Sequence, residues 1–478
     1  MTSSSSAAAG AAAGSGAAPA PLTGAAGIPV AAPRPRACVV NLGCRVNRVE
    51  SDRITAGLAA YGIELVDEEA ADAVVVNTCA VTGEAEAKTR KAVRRALALP
   101  RSPRVIVTGC AVNLDAAELT ALSPRVAAEP SKAAVPARVA SVLGLDASMP
   151  LAGPHGAALR GLLGRSRLGV KIQDGCNHRC SYCIVWRARG PERSAPVDEV
   201  VARVREAEAA GVAEVVLTGV NLGAYRGERA GGGTARIADL LDEILDRTGI
   251  PQVRLSSIEP MDADAALVRR MAAAGPRVAP FLHLPVQSGC TGTLRRMRRP
   301  YTGERLVELA DRIRAELPAA ALSADVIVGF PGETEDEFEA SLAACERIGF
   351  SRMHVFRYSK RPGTPAAEMA GQVPPPVMAR RGERMRALAA RLAREDAARR
   401  AGTVERAVLE GAGRGTLGSF HRVVAAGSAD LPVGSLVDVA IMGVDGEGAL
   451  TGRVLGDPVF VPSGSPARGG AGPSGAGL

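Results

Sequence analysis

The sequence predicts an α/β protein in three parts: a small doubly wound domain, an incomplete (βα)6 barrel of TIM type, and a short all-β module. Three observations carry that prediction. Val/Ile-rich runs alternate with helical stretches up to residue 145, and the alternation returns as six units between 165 and 400. After 402 the pattern changes to short strands separated by Gly-rich turns. Cysteines fall where strands end, on the edge of a parallel sheet at which ligands bind.

Residues 1–36 are rich in Ala, Gly, Ser and Pro, with neither a basic segment leading into a Leu-rich core nor an Arg-rich amphipathic pattern. They are expected to be a disordered tail, as are residues 462–478. Over 37–145, strands are expected at 37–42, 73–77 and 105–108, with helices at 45–61 and 83–98. Such alternation builds a parallel sheet covered on both faces. A linker, 146–164, follows, marked by Pro150, Pro154 and several glycines.

Over 165–400, strands are expected at 168–173, 214–218, 253–258, 281–285, 322–328 and 352–357. Helices fall between them at 197–210, 237–247, 264–273, 303–317 and 335–348, and an Arg-rich helix closes the block at 376–400. Over 402–461, strands at 404–409, 422–425, 436–441 and 450–454 suit a small β-barrel or open sheet. Modules of that kind bind RNA or serve only as packing.

Composition bounds the function. Apolar residues make up 47% of the 478 and charged residues 23%, which is globular. A formal net charge of +8 is compatible with RNA or another polyanion, and equally with a solvated Arg-rich surface. Nine cysteines in so long a chain are not a disulfide framework. Closely spaced thiolates belong in a reducing compartment, so the chain is expected in the cytoplasm. No run of about 18 apolar residues occurs, so no membrane partner is expected.

Cys176, Cys180 and Cys183 form a C-x3-C-x2-C triplet directly after the first barrel strand. Three thiolates this close suit three corners of a four-iron cubane with the fourth iron open, a site that S-adenosylmethionine usually fills. The rival is structural zinc, with His178 as a fourth ligand. Cys44, Cys79 and Cys110 each follow a strand of the first domain, which would bring them to one edge as a second cluster site. Cys38, Cys290 and Cys345 have no partners at cluster spacing and read as structural.

With these cysteines stand the segments 41–47 (NLGCRVN), 77–82 (NTCAVT), 108–110 (TGC), 217–221 (LTGVN), 283–289 (HLPVQSG), 325–334 (DVIVGFPGET) and 358–364 (YSKRPGT). Together they resemble the methylthiotransferase family of radical S-adenosylmethionine enzymes, over nearly everything from Cys38 to Leu455. The resemblance implies a flavodoxin-like N-terminal domain, a radical barrel and a C-terminal TRAM domain that grips RNA. It also implies two [4Fe–4S] clusters, S-adenosylmethionine, and an electron donor such as flavodoxin or ferredoxin. Cys176, Cys180 and Cys183 would hold the radical cluster; Cys44, Cys79 and Cys110 would hold the auxiliary, sulfur-handling one.

Two details resemble the type acting on threonylcarbamoyladenosine in tRNA: 42–47 (LGCRVN) and 254–260 (RLSSIEP). The isopentenyladenosine type more often carries Ser-His-Pro in the latter place. The branch acting on a ribosomal aspartate more often carries Pro where Arg45 stands. One departure is Trp186, where the family commonly has Pro after Ile-Val or Ile-Ile; it either covers the cofactor or fills the core.

The remaining site expectations come from strand ends. Gly219 and Asn221, Gln287 and Ser288, Asp325, Gly329 and Glu333 are expected to contact the cofactor. Plain turn or cap roles are the alternatives at Gly219 and Glu333. His283 is expected as a core or supporting residue. Arg295, Arg296, Arg298, Arg299 and the helix 380–400 are expected to contact phosphates or to form a solvated face. The chain is expected to act as a monomer.

Overall fold

The computed structural model describes residues 34–148, 150, 153, 156–446 and 448–462. Pro35–Leu478 make up one compact unit. The expected tails fall almost entirely outside the described residues, although the first strand already begins at Arg36.

The first domain has five parallel strands: β1 (Arg36–Asn41), β2 (Glu64–Leu65), β3 (Ala73–Thr78), β4 (Arg104–Gly109) and β5 (Val126–Ala128). Their order is β2-β1-β3-β4-β5, the flavodoxin-like arrangement. Its helices include α1 (Arg45–Ala60), α2 (Gly83–Leu97), the short α3 (Cys110–Leu114) and α4 (Val135–Val142). Strand alternation sorts the core. Val74, Val76, Val105 and Val107 face α2, and Ala73, Val75 and Ile106 face Ile54, Leu58 and Val139. Both faces are buried, which is why β3 reads as an unbroken apolar run.

The sequence reading missed β2, β5 and α4. The two strands are edge pieces of two and three residues, too short to show a period. The expected linker is not wholly irregular, because a helix spans Gly156–Leu163.

The barrel strands are β6 (Arg167–Lys171), β7 (Glu214–Thr218), β8 (Gln252–Leu255), β9 (Phe281–Gln287), β10 (Ala321–Val328) and β11 (Arg352–Arg357). They form two parallel halves, β6–β7–β8 and β9–β10–β11, joined by the bridges Val253–Val278 and Ser257–His283. Helices α5 (Val185–Arg189), α6 (Val197–Ala209), α7 (Ile237–Arg247), α8 (Ala265–Ala273), α9 (Gly303–Glu316), α10 (Glu335–Ile348) and α11 (Pro375–Arg399) follow in order. Against the open side, α1 packs on β6. A side chain at Gly169 would come within 2.2 Å of the Val49 Cγ2, so glycine is what lets helix and strand meet.

The last part is a closed five-stranded barrel of β12 (Val404–Gly411), β13 (Arg414–Leu417), β14 (Arg422–Ala426), β15 (Leu436–Val444) and β16 (Leu450–Phe460). The expectation of four strands lacked β13, whose Arg-Gly-Thr-Leu carries no clean alternation. Closure removes the sheet edges. No helix among the described residues is long and apolar enough to cross a membrane.

Candidate functional site

Cys44 precedes α1, Cys79 follows β3 directly, and Cys110 opens α3 straight after β4. Because β1, β3 and β4 are parallel neighbours, all three leave the same sheet edge. Gly43 has φ 108°, and a side chain there would come within 2.7 Å of the Cys79 Cβ. Glycine thus holds the turn of Cys44 against Cys79. Asn47 fastens the same turn, its Nδ2 donating to Leu42 O at 2.7 Å and Thr78 O at 2.9 Å. Burial pushes the Cys79 thiol up to about 11 and raises Cys110 as well, while Cys44 is exposed. Any metal group held by Cys79 and Cys110 would therefore have to displace their protons.

The triplet sits in the loop after Gln173–Asp174. Burial pushes Cys176 up to about 12 and Cys183 up to about 11. Cys180 differs: burial raises it, but hydrogen bonding by His178 and the positive charge of Arg299 outweigh that and hold it below its ordinary value. The Arg299 Nη1 lies 3.2 Å from Cys180 Sγ. That guanidinium is itself buried, pairing with Glu259 and donating to Tyr301 Oη at 2.7 Å.

One short helix joins the two sets. After Cys183 the chain enters α5, where Ala188 packs against Cys110 and Ala80, and Asn113 Nδ2 donates to Ala188 O at 2.8 Å. Arg189 ends α5 with its side chain 2% exposed. Its Nη1 donates to Glu50 at 2.8 Å and Asp174 at 3.0 Å, and its Nη2 to Asn47 Oδ1 at 2.6 Å. A single guanidinium thereby ties the start of the triplet loop to the helix that follows Cys44. Lys171 completes the network at 2.6 Å from Glu50 and 2.7 Å from Asp174. Burial would raise both acids, but these cations hold Glu50 and Asp174 below the usual carboxylate range.

The geometry bears on which metal group fits. Neither cysteine set brings three ligand atoms within 4.8 Å of one another. Tetrahedral zinc with Zn–S bonds of about 2.3 Å needs sulfurs about 3.8 Å apart. Neither set is drawn together around one ion of that size, and three thiolates with one side open are a donor set that an iron–sulfur cluster can use.

The residues expected at the cofactor divide in two. Asn221, 3% exposed, takes its N–H to Gln173 Oε1 at 2.8 Å and its Nδ2 to Glu192 at 3.4 Å, while its Oδ1 has no partner. Glu192 also accepts from Asn177 in the triplet loop at 3.1 Å, so that unpaired oxygen lies beside the cysteines. Gln287 has φ 67°, a conformation costly for a non-glycine residue, and its side-chain amide has no hydrogen bond among the described residues. A side chain at Gly219 would come within 3.0 Å of Gln173, a tight fit. These groups are free to meet a ligand.

Others are occupied. The Ser288 hydroxyl accepts from Cys290 N at 3.1 Å and points at Ser341. Glu333 accepts from Gly329 N at 2.6 Å and Arg381 at 3.0 Å, folding the 329–333 turn onto α11. Asp325 accepts from His283 Nε2 at 3.1 Å and lies 3.3 Å from His354 Nδ1. Burial raises Asp325, but these histidines hold it well below the usual range. His283 is anchored further by Ser257 Oγ at 2.7 Å from its Nδ1.

The basic residues also separate. Arg295 and Arg298 are exposed, Arg296 pairs with Glu337, and Arg299 serves Cys180. On α11, Arg381, Arg384 and Arg391 pair with Glu333, Glu335, Glu339, Glu346 and Glu395. Trp186 is half-buried, with the Arg179 guanidinium 4.1 Å above its ring, so it covers the triplet loop and does not fill the core. Sequence reasoning missed Arg189 and Glu50. Nothing local in the sequence tells a buried arginine from a solvated one.

The barrel floor is lined from another domain. Phe420, between β13 and β14, has φ 70° and stacks on Phe281 with centroids 4.9 Å apart. Arg254 holds its loop through Gly418 O at 2.7 Å and Leu417 O at 3.0 Å, and pairs with the fully buried Glu214 at 2.7 Å.

Comparisons with known proteins agree with this architecture. Residues 170–345 match the radical SAM superfamily and residues 36–128 match Uncharacterized protein family UPF0004. The chain is 33% identical to the threonylcarbamoyladenosine tRNA methylthiotransferase MtaB of Bacillus subtilis (strain 168), over 84% of this chain and 92% of that one. It is 35% identical to the tRNA-2-methylthio-N(6)-dimethylallyladenosine synthase of Erythrobacter litoralis (strain HTCC2594), over 77% and 84%. Among solved structures, the radical S-adenosylmethionine methyltransferase TsrM from Kitasatospora setae is similar in fold, with TM-score 0.50 and 16% identity over 70% of this chain and 75% of that one.

Proposed function

The chain belongs to the radical S-adenosylmethionine methylthiotransferase family, and from that premise we propose that it methylthiolates carbon 2 of N6-threonylcarbamoyladenosine, next to the anticodon (position 37) of tRNA. The observation that carries the reading is the single helix α5, which holds a triplet suited to a radical cluster against a second cysteine set suited to a sulfur-handling one. When bound, the clusters and S-adenosylmethionine supply the one-electron chemistry and the sulfur.

The protein positions those groups. Cys176, Cys180 and Cys183 hold the first cluster, with Arg299 donating to the Cys180 sulfur and so favouring the thiolate. Cys44, Cys79 and Cys110 hold the second. Asn221 and Gln287 offer unpaired polar atoms to the cofactor at the barrel mouth. Arg189 keeps the two sets in register.

The C-terminal barrel acts as a TRAM-type RNA grip, and its strands expose Arg422 and Arg453. The proposed domain limits are 37–145, 165–400 and 402–461, with β1 starting one residue earlier at Arg36. A flavodoxin- or ferredoxin-type protein supplies electrons to a monomer acting in the cytoplasm.

Relatives named for threonylcarbamoyladenosine and for dimethylallyladenosine stand at similar identity, so the test has to separate them. Nucleoside mass spectrometry of tRNA from a deletion strain is expected to show the loss of 2-methylthio-N6-threonylcarbamoyladenosine and accumulation of its unthiolated precursor. Loss of the methylthio group from the isopentenyl nucleoside, or from a ribosomal aspartate, would replace this reading with the corresponding one.

A further inference from the structure

Four arginines surround the Phe420 ring at the barrel floor, with guanidinium carbons 5.1 Å (Arg45), 5.7 Å (Arg167), 5.1 Å (Arg254) and 5.7 Å (Arg352) from its centroid. Two carboxylates answer them. Glu214 takes Arg254 in a two-pronged contact of 2.7 and 2.9 Å, and Glu410 pairs with Arg167. Among the described residues, Arg45 and Arg352 make no ion pair and no hydrogen bond through their side chains, although both stand beside other cations. Two positive charges are therefore left over around one aromatic ring.

Beside Arg45 lies a cavity of about 310 Å³, lined also by Arg254, Phe420, Asp52 and Glu410, that reaches Thr218 at the carboxyl end of β7, just before Gly219 and Asn221; Arg352 does not line it and adjoins it through the Phe420 ring. The cavity is in the size range of a small-molecule site. We infer that Arg45 and Arg352 bind the carboxylate of the substrate nucleoside, with Phe420 as the floor of its pocket.

The inference rests on the proposed substrate and names the residues that read it. Threonylcarbamoyladenosine carries a carboxylate at the end of its N6 arm; the isopentenyl nucleoside has no charge there. Carbon 2 and the carbon bearing N6 belong to the same ring of the purine. Arg45 follows Cys44 directly, so the floor it reaches is one arginine side chain away from the sulfur-handling set. A purine held between the cysteine sets can therefore send its arm to the floor while carbon 2 faces the chemistry. The middle layer of the barrel does not compete for the anion, because His283 and His354 are already turned to Asp325. Guanidinium groups suit this task, since they match a carboxylate in plane and donate in pairs. Arg352 comes from β11, Arg45 from the first domain and Phe420 from the last, so the pocket exists only when all three parts are assembled.

The test measures binding of anticodon stem-loop RNAs to the anaerobically reconstituted full chain. Three loops are compared, carrying threonylcarbamoyladenosine, isopentenyladenosine or unmodified adenosine at position 37. The wild-type chain is expected to bind the first most tightly. Arg352→Gln and Arg45→Gln should each weaken it about 10- to 100-fold while leaving the unmodified loop unchanged. Arg45→Lys should recover part of the loss.

Iron content is measured on every variant. Arg352→Gln lies away from the cysteine loops, so it keeps the test decisive if Arg45→Gln loses iron. If a variant that keeps its iron weakens all three loops equally, the arginines contact RNA phosphates and the inference falls. It falls too if such variants retain the full preference for the threonylcarbamoyl loop. A wild-type chain that prefers the isopentenyl loop instead overturns the substrate reading itself, which the arginine variants cannot do.

Discussion

Cys176, Cys180 and Cys183 come from one short loop, whereas Cys44, Cys79 and Cys110 come from three strand ends spread over residues 44–110. Both sets lie at the carboxyl edge of a parallel sheet. In the loop, local chain geometry sets the spacing, and one thiol is drawn below its ordinary value by His178 and Arg299. In the sheet, strand register sets the spacing, and burial raises two of the three thiols. The loop set is thus locally built, but takes part of its tuning from Arg299, 119 residues away. The sheet set depends on pairing between distant segments and borrows its cation, Arg189, from the barrel.

The largest effect expected is on the loop set. Replacing Cys176, Cys180 and Cys183 with Ala should reduce 5′-deoxyadenosine formation to background, measured by chromatography after reduction. Replacing Cys44, Cys79 and Cys110 should abolish methylthio transfer yet leave 5′-deoxyadenosine formation. Bound iron should then fall from about eight atoms to about four, the content of one cubane. If this second triple variant still methylthiolates normally, the division of labour between the sets is wrong.

A smaller change tests the link between them. Arg189→Met leaves the buried Glu50 and half-buried Asp174 sharing Lys171 alone and should cost about 3 kcal/mol, read from the shift in a urea unfolding midpoint. Both sets should lose iron together; loss from one alone would mean that α5 does not couple them. Smallest is Gly169→Ala, which forces a methyl onto Val49 where α1 meets β6 and should cost about 1–3 kcal/mol. It should loosen the contact between the domains without emptying the triplet, as iron analysis would show.

Much of this was legible in residue order. Strands β7 and β11 and helices α7 and α10 fall where the hydrophobic period puts them, because burial of one face imposes that period. The edge strands β2 and β5 were not legible, since two or three residues carry no period. Asn221 and Gln287 kept free polar atoms, but Ser288 and Glu333 turned inward to partners 53 and 48 residues away. Those partners sit on helices whose docking no local pattern encodes.

By itself, the sequence determined the order of the three parts, the six cysteines and the strand ends that carry them, because periodicity and spacing are local properties of a chain. Only the tertiary structure decided what Arg189, Arg299, Arg254 and Phe420 do. An arginine reads the same in sequence whether it faces water, a thiolate or a buried carboxylate. Its role depends on which distant segment packs against it, and that is settled by how the helices and sheets close around their cores.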